Sequence, residues 1–363
     1  MKGRVKALVL IVLVLTLASC PDMALWNTIV SIVHPVYAGG YSRNSSGVDV
    51  AGYWKNGIWN GLPPLDATKD SQVWSIVVSG SDIYAAGYSI NSSNVAVAGY
   101  WKNNAWRGLT PLDASKDSYA TSLVVSGSDV YAAGYSINSS GVRVAGYWKN
   151  LIWNGLTPLD ATKDSIAGVL AISGNDVYAG GESVNSSGMW VPGYWKNLFW
   201  NGLTPLDATQ ISWVNSLIVY GSEVYAGGRS ANSSGIWVPG YWRNGAWNGL
   251  TPLDATKTAA VYSLVVSGSD IYAGGNSTNS SNVTVAGYWK NGTWNGLTPL
   301  DATKDSWPGS LVVSGSDIYA AGFSTNSSGV EVAGYWKNGA WNGLAVLDTA
   351  QGSCVYTNSL FVQ

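Results

Sequence analysis

The chain has 363 residues, a formal net charge of −2 and only 11% charged residues, against about 25% in an average soluble protein. No basic face exists to hold a phosphate backbone, so nucleic acid is excluded as the expected partner. The two cysteines, Cys20 and Cys354, supply no disulfide framework, and the core must hold itself.

At the N-terminus, Lys2, Arg4 and Lys6 precede an apolar stretch over residues 7–18. That stretch falls short of the about 20 residues a membrane span needs and has the form of a signal peptide. It ends in Leu-Ala-Ser-Cys, residues 17–20, which resembles the bacterial lipobox. The resemblance implies a lipoprotein-type signal peptide over residues 1–20, with Cys20 as the lipid attachment site on the cell envelope. An ordinary signal peptide cleaved nearby would instead leave the protein secreted. Either way the chain is expected to be exported. Residues 21–36 form a tether or a surplus strand, the strand falling on Thr-Ile-Val-Ser-Ile-Val at 28–33.

From there on the chain repeats itself. The triplet Gly-Tyr-Trp begins at Gly52, Gly99, Gly146, Gly193, Gly240, Gly287 and Gly334, at an interval of 47 residues each time. A fixed period in this range marks a repeat architecture. One copy, residues 122–165, holds four short apolar runs separated by turn residues. The last turn is Lys-Asn-Gly or Arg-Asn-Gly in most copies, a strong hairpin signal. No run sustains a helical period, so each repeat is predicted to be a four-stranded meander. Such a sheet has two faces to cover and is not stable alone.

Seven of these sheets packed face to face around an axis give an all-β, seven-bladed β-propeller over residues 37–363. An open β-solenoid is the other architecture, but 47 residues is long for one coil. The recurring aromatics, such as Tyr147, Trp148 and Trp153, are expected between neighbouring sheets. Each would remove ~150–250 Å² from water, roughly 4–6 kcal/mol gross. First strands are expected to start near Ile76, Leu123, Val169, Leu217, Leu264, Leu311 and Leu360. Second strands are expected around Tyr37, Tyr84, Tyr131, Tyr178, Tyr225, Tyr272 and Tyr319. The two series run one step out of phase, which predicts that residues 360–363 pair with the strand around Tyr37 and clasp the ring.

A glycine doublet, a tyrosine, and a tryptophan six residues later, as in Gly180-Gly181, Tyr194 and Trp200, resemble the kelch repeat. Ala86-Gly87, Ala133-Gly134 and Ala321-Gly322 depart from the doublet. The phrases Tyr-Ala-Ala-Gly-Tyr and Tyr-Trp-Lys-Asn-Gly also resemble a bacterial envelope repeat type built on Val-Tyr-Val-Ala-Gly-Tyr and Tyr-Trp-Lys-Asn-Gly. Both resemblances imply the propeller fold. Neither implies an activity, because propellers host many unrelated ones.

Catalysis would leave one-off residues in the repeated pattern. The single histidine, His34, lies outside the repeats, and no Ser-His-Asp set or His/Cys metal cluster is present. Aspartates at 66, 113, 160, 207, 254, 301 and 348 follow Pro-Leu or Val-Leu in every copy, and Asp82, Asp129, Asp176, Asp270 and Asp317 recur in a hairpin. They are read as turn-forming residues. Acid pairs such as Asp113 and Asp117 lack the dense oxygen ligands of a known calcium loop. The Asn-Ser-Ser triplets beginning at Asn44 and at each later copy match a glycosylation acceptor. Beside a bacterial-type lipobox they are read as hairpin chemistry. No cofactor is expected.

Three sets of positions vary between copies. Trp74, Tyr119, Trp213, Tyr262 and Trp307 lie between the Leu-Asp-Ala-Thr-Lys-Asp turn and the next first strand. Tyr41, Tyr88, Tyr135, Glu182, Arg229, Asn276 and Phe323 follow the glycine pair. Asp49, Ala96, Arg143, Trp190, Trp237, Thr284 and Glu331 form the third set. Kelch-like strand directions would place the first two sets around the mouth of the central channel, as a ligand-binding rim. The expected function is a monomeric, non-catalytic surface module that binds glycan or peptide there. The alternatives are a scaffold for an envelope protein, and an enzyme of glycosidase type. The last needs two carboxyls ~5–10 Å apart, and Glu182 is the only unrepeated acid expected at the mouth.

Overall fold

The computed structural model describes residues 35–363. The signal segment, Cys20, the 28–33 stretch and His34 lie outside the described residues. Among the described residues twenty-eight strands, numbered in chain order, form seven four-stranded antiparallel sheets. The chain begins with β1 (Val36–Arg43), β2 (Asp49–Lys55) and β3 (Ile58–Gly61). A complete blade follows in β4 (Ser71–Ser79), β5 (Asp82–Ile90), β6 (Ala96–Lys102) and β7 (Ala105–Gly108). The same unit recurs at 118–155 (β8–β11), 165–202 (β12–β15), 212–249 (β16–β19), 259–296 (β20–β23) and 306–343 (β24–β27), before β28 (Ser353–Val362). The fold is a seven-bladed β-propeller with β4, β8, β12, β16, β20, β24 and β28 innermost.

The ring closes as a clasp of both chain ends. β28 pairs antiparallel with β1, setting Phe361 opposite Tyr37 and Leu360 opposite Ala38, and packs between β24 and β4. β1 begins at Val36, one residue before the expected boundary. The inner strands begin earlier than the sequence suggested, at Ser71 rather than near Ile76 in the first complete blade. Each carries a β-bulge, as between Val73 and Ser75, which breaks the simple alternation that pattern reading relies on. Val169 is likewise one residue out of step, since Leu170 is the buried counterpart of Ile76.

Local chemistry explains the repeated residues. In the outer hairpin Asn56 and Gly57 take φ of 51° and 81°, the left-handed pair a two-residue turn requires. The Asn44 side chain accepts the Ser46 and Val48 N–H groups, so the Asn-Ser-Ser triplet is hairpin chemistry. Asp66 accepts both the backbone N–H and the hydroxyl of Thr68. These bonds hold the Asp66 carboxyl below its ordinary range. Asp82 pairs with Lys102 and accepts from Asn103.

The glycine doublet has a steric reason, and only half of it is obligatory. A Cβ on Gly87 would meet the Gln72 carbonyl oxygen at 1.9 Å, and one on Gly181 would meet that of Ile166 at 2.0 Å. The residue before it faces side chains of the next blade, as Gly39 faces Val73. Alanine therefore fits there at 86, 133 and 321.

Between blades the repeated tryptophan is the staple. Trp54, Trp101, Trp148, Trp195, Trp242, Trp289 and Trp336 are at most 1% exposed. Trp148 lies with Tyr84, Tyr100 and Leu109 of the preceding blade and meets Trp153 edge-on at 4.6 Å. Its indole N–H donates to the Thr110 carbonyl at 2.7 Å. The bond recurs around the ring, from Trp101 to Pro63, Trp242 to Thr204 and, across the clasp, Trp54 to Ala345. Around the channel, serines link successive inner strands: Ser75 accepts the Leu123 N–H at 3.1 Å and Ser122 that of Leu170 at 3.2 Å.

Candidate functional site at one end of the channel

The bulge decides which side chains reach the channel mouth. In the six regular inner strands the bulged residues are Trp74, Thr121, Gly168, Asn215, Tyr262 and Gly309. In β28 the irregular stretch lies between Val355 and Leu360, is two residues longer, and contains Tyr356. Trp74, Thr121, Gly168, Asn215 and Tyr356 line a cavity of about 210 Å³ at this end. Deeper along the axis, Ser75, Leu123 and their counterparts line a second space of about 270 Å³.

The first variable set is therefore two sets in one. Trp74 and Tyr262 are bulge residues, whereas Tyr119, Trp213 and Trp307 stand two residues earlier and pair across strands with the second set. All five lie inside inner strands, not in the preceding connection. The cross-strand pairs are Tyr119–Tyr135, Trp213–Arg229 and Trp307–Phe323, with Gln72–Tyr88, Ala260–Asn276, Ile166–Glu182 and Cys354–Tyr41 completing the ring. Sequence reasoning missed Thr121, Asn215, Cys354 and Tyr356. The repeat phase contains the signal: Ser353-Cys-Val-Tyr aligns with Ser71-Gln-Val-Trp.

The rings gather into two runs. Tyr41, Tyr356, Trp74, Tyr88, Tyr119 and Tyr135 touch in succession over three blades, with Trp74 stacked on Tyr119 at 5.5 Å. Beside them, on the preceding blades, Tyr262 stacks on Trp307 at 5.5 Å and Trp307 on Phe323 at 6.2 Å. Trp307 is 37% exposed, while Tyr41, Tyr88, Glu182 and Asn276 are buried beneath the surface layer. Burial pushes the Tyr135 hydroxyl up to about 12 and raises those of Tyr41, Tyr88 and Tyr356 further. These phenols stay protonated, and that of Tyr356 donates to Gln72.

A polar network orients the first run. Asp49 accepts from Arg43 and from the Gln72 amide, each at 2.8 Å. The Gln72 carbonyl accepts the Trp74 indole N–H at 3.0 Å and the Tyr356 hydroxyl at 3.2 Å. Arg143 pairs with Asp164 and lies 5.5 Å from the Trp190 ring, which meets Trp213 at 5.6 Å. Glu182, placed at the mouth by its sequence position, is instead 3% exposed and accepts the Val214 N–H at 2.6 Å. Burial pushes its carboxyl up to about 8.

Asp113 accepts from Ser115, and Asp117 accepts the Ala96 N–H, so each aspartate is engaged in its own turn or blade junction. Among the described residues no three His, Cys, Asp or Glu side chains form a group able to hold a metal ion. The mouth offers aromatic faces, a few fixed amide and guanidinium groups, and room for part of a ligand.

No protein-family model matches the sequence, and no curated protein matches it. Among solved structures the chain is similar to that of YjhT, at 12% identity and a TM-score of 0.43, over 80% of this chain and 96% of that one.

Proposed function

We propose that the chain is an exported, non-catalytic binding module that takes its ligand on the aromatic rim at one end of the channel. The supporting observation is the division of labour among side chains. The repeated tryptophans pack the blades, whereas Trp74, Tyr119, Tyr262 and Trp307, at positions that vary between copies, gather at one mouth as exposed or half-buried rings. Grouped apolar surface of this kind marks interaction sites. The ligand classes are glycan and peptide, both able to use flat aromatic faces. The first 20 residues support export, with Cys20 carrying the lipid; mass spectrometry of the mature N-terminus checks both.

Retention on glycan and peptide arrays tests the reading, using the full chain beside Trp307→Ala and Trp213→Ala. Both variants are expected to lose retention while unfolding within about 1 kcal/mol of the parent, as for substitutions away from a packed core. Losses of several kcal/mol in stability would assign the two rings to the core instead.

A scaffold role for an envelope protein is a second reading. It is favoured by Leu65, Leu112, Leu159, Leu206, Leu253, Leu300 and Leu347, which stand 42–47% exposed in the connections leading to the same end. A single protein captured from envelope extract, with blank arrays, is its expected signature.

A further inference from the structure

The rim is asymmetric, and its two unlike compartments adjoin. One is a slot of about 290 Å³ whose walls include Tyr262, Trp307, Phe323, Val355 and Tyr356. It exists because Gly309 stands at the bulge position that Trp74 and Tyr262 fill in other blades. Both tyrosine hydroxyls have partners within the protein: that of Tyr356 donates to Gln72, and that of Tyr262 accepts from the Asn276 amide. A sugar placed there would bury hydroxyls without partners, a cost that an apolar side chain avoids.

The other compartment shares Tyr262 and Trp307 with the slot, has about 50 Å³, and is lined by Arg229, Asn276, Thr258, Thr278 and Thr284. Since a water takes ~30 Å³ of liquid, the space suits a group of carboxylate size. Arg43, Arg143 and Arg243 each hold a carboxylate. Arg229 forms no such pair: its guanidinium lies 4.5 Å from the Trp237 ring, and its buried Nε has no hydrogen-bond partner. The nearby Glu182 is committed to the Val214 N–H, and its raised carboxyl is largely protonated at neutral pH. Among the described residues no carboxylate forms an ion pair with this guanidinium, a group suited to pairing with a carboxylate.

Resting on the reading that this rim binds a ligand, we propose that the site captures the free C-terminus of a peptide. The apolar side chain of the last residue fills the slot beside Trp307, and the terminal carboxylate pairs with Arg229. An α-carboxylate and its own side chain are joined at one Cα, which suits two compartments with shared walls.

The test is binding of the full chain to a hexapeptide array with exposed C-termini ending in Leu, Ile, Phe, Ser or Lys, printed as free acids and as amides, beside a glycan array. The expected result is retention of Leu, Ile and Phe ends, at least about 10-fold weaker for the amides. Arg229→Gln should bring the acids down to the amides, Arg229→Lys should recover part of the difference, and Trp307→Ala should weaken both forms. Equal binding of acids and amides by the parent chain overturns the carboxylate assignment and leaves the rim reading standing. Retention of glycans without peptides does the same. Blank arrays of both kinds overturn the two readings together.

Discussion

Tyr356 donates its hydroxyl to Oε1 of Gln72 at 3.2 Å across 284 residues of sequence, tying the closing strand to the first blade built wholly in chain order. Removal of residues 353–363 would bare the edge of β1 and break the inner ring. The truncated chain is expected to lose its cooperative urea transition, followed by tryptophan fluorescence. A single transition with an unchanged midpoint would show that the ring does not depend on the clasp. Leu360→Ala, at a buried position, should cost ~2–5 kcal/mol.

The inter-blade staple separates ring packing from hydrogen bonding. Trp242→Phe keeps an aromatic ring but leaves the Thr204 carbonyl without its donor. A loss of ~1–3 kcal/mol is expected, with a larger one of ~3–5 kcal/mol for Trp242→Ala. Chemical denaturation of the two variants measures both, and an unchanged stability in Trp242→Phe would deny the hydrogen bond any role.

Three outer hairpins depart from the Asn-Gly rule, one with Asn104 and two with leucine in place of the glycine. Leu151 and Leu198 occupy the left-handed position with φ of 74° and 78°, where a residue with a Cβ is strained by roughly 1–2 kcal/mol. Leu198 is also 38% exposed, so little packing offsets the strain. Leu198→Gly should therefore raise the unfolding midpoint, an unusual direction for a leucine-to-glycine change. A lowered midpoint would mean that Leu198 packs more than its exposure suggests.

Glu182 makes stability depend on pH in a defined direction. Its carboxyl is raised from 4.5 to about 8 by burial, so the native state holds a proton that the unfolded state releases. The contribution is fully present below about 4.5, falls as pH rises towards about 8, and is flat above that. Glu182→Gln should flatten this window while keeping an acceptor for the Val214 N–H. The turn aspartates act in a separate window: Asp66 and Asp160 are lowered by hydrogen bonds from Thr68 and Thr162, so their share is lost only in acid below the ordinary 3.8. Unfolding curves over roughly pH 4 to pH 9 should show the difference between parent and variant.

The architecture was legible because each copy repeats its turn chemistry and its aromatic spacing, and because the phase offset of the two strand series demanded a clasp. The site was legible only in outline. The bulge puts Trp74 out of the alternation that carries Tyr119 and Trp213, so residues from two structural positions looked like one variable set. The two extra residues in β28 hid the correspondence of Tyr356 with Trp74. Burial was also invisible. Glu182 follows Gly181 just as Tyr135 follows Gly134, yet it turns to a backbone N–H of the next blade and leaves the surface.

The second glycine of each doublet lets the carbonyl two residues before the bulge approach the neighbouring strand, whatever side chain the bulge residue carries. A tryptophan, an asparagine and nothing at all are accepted at that place in Trp74, Asn215 and Gly168. The chemistry of the mouth is thereby uncoupled from assembly. A chain built this way can exchange the chemistry around its opening one blade at a time, inheriting a finished frame before it has acquired a target.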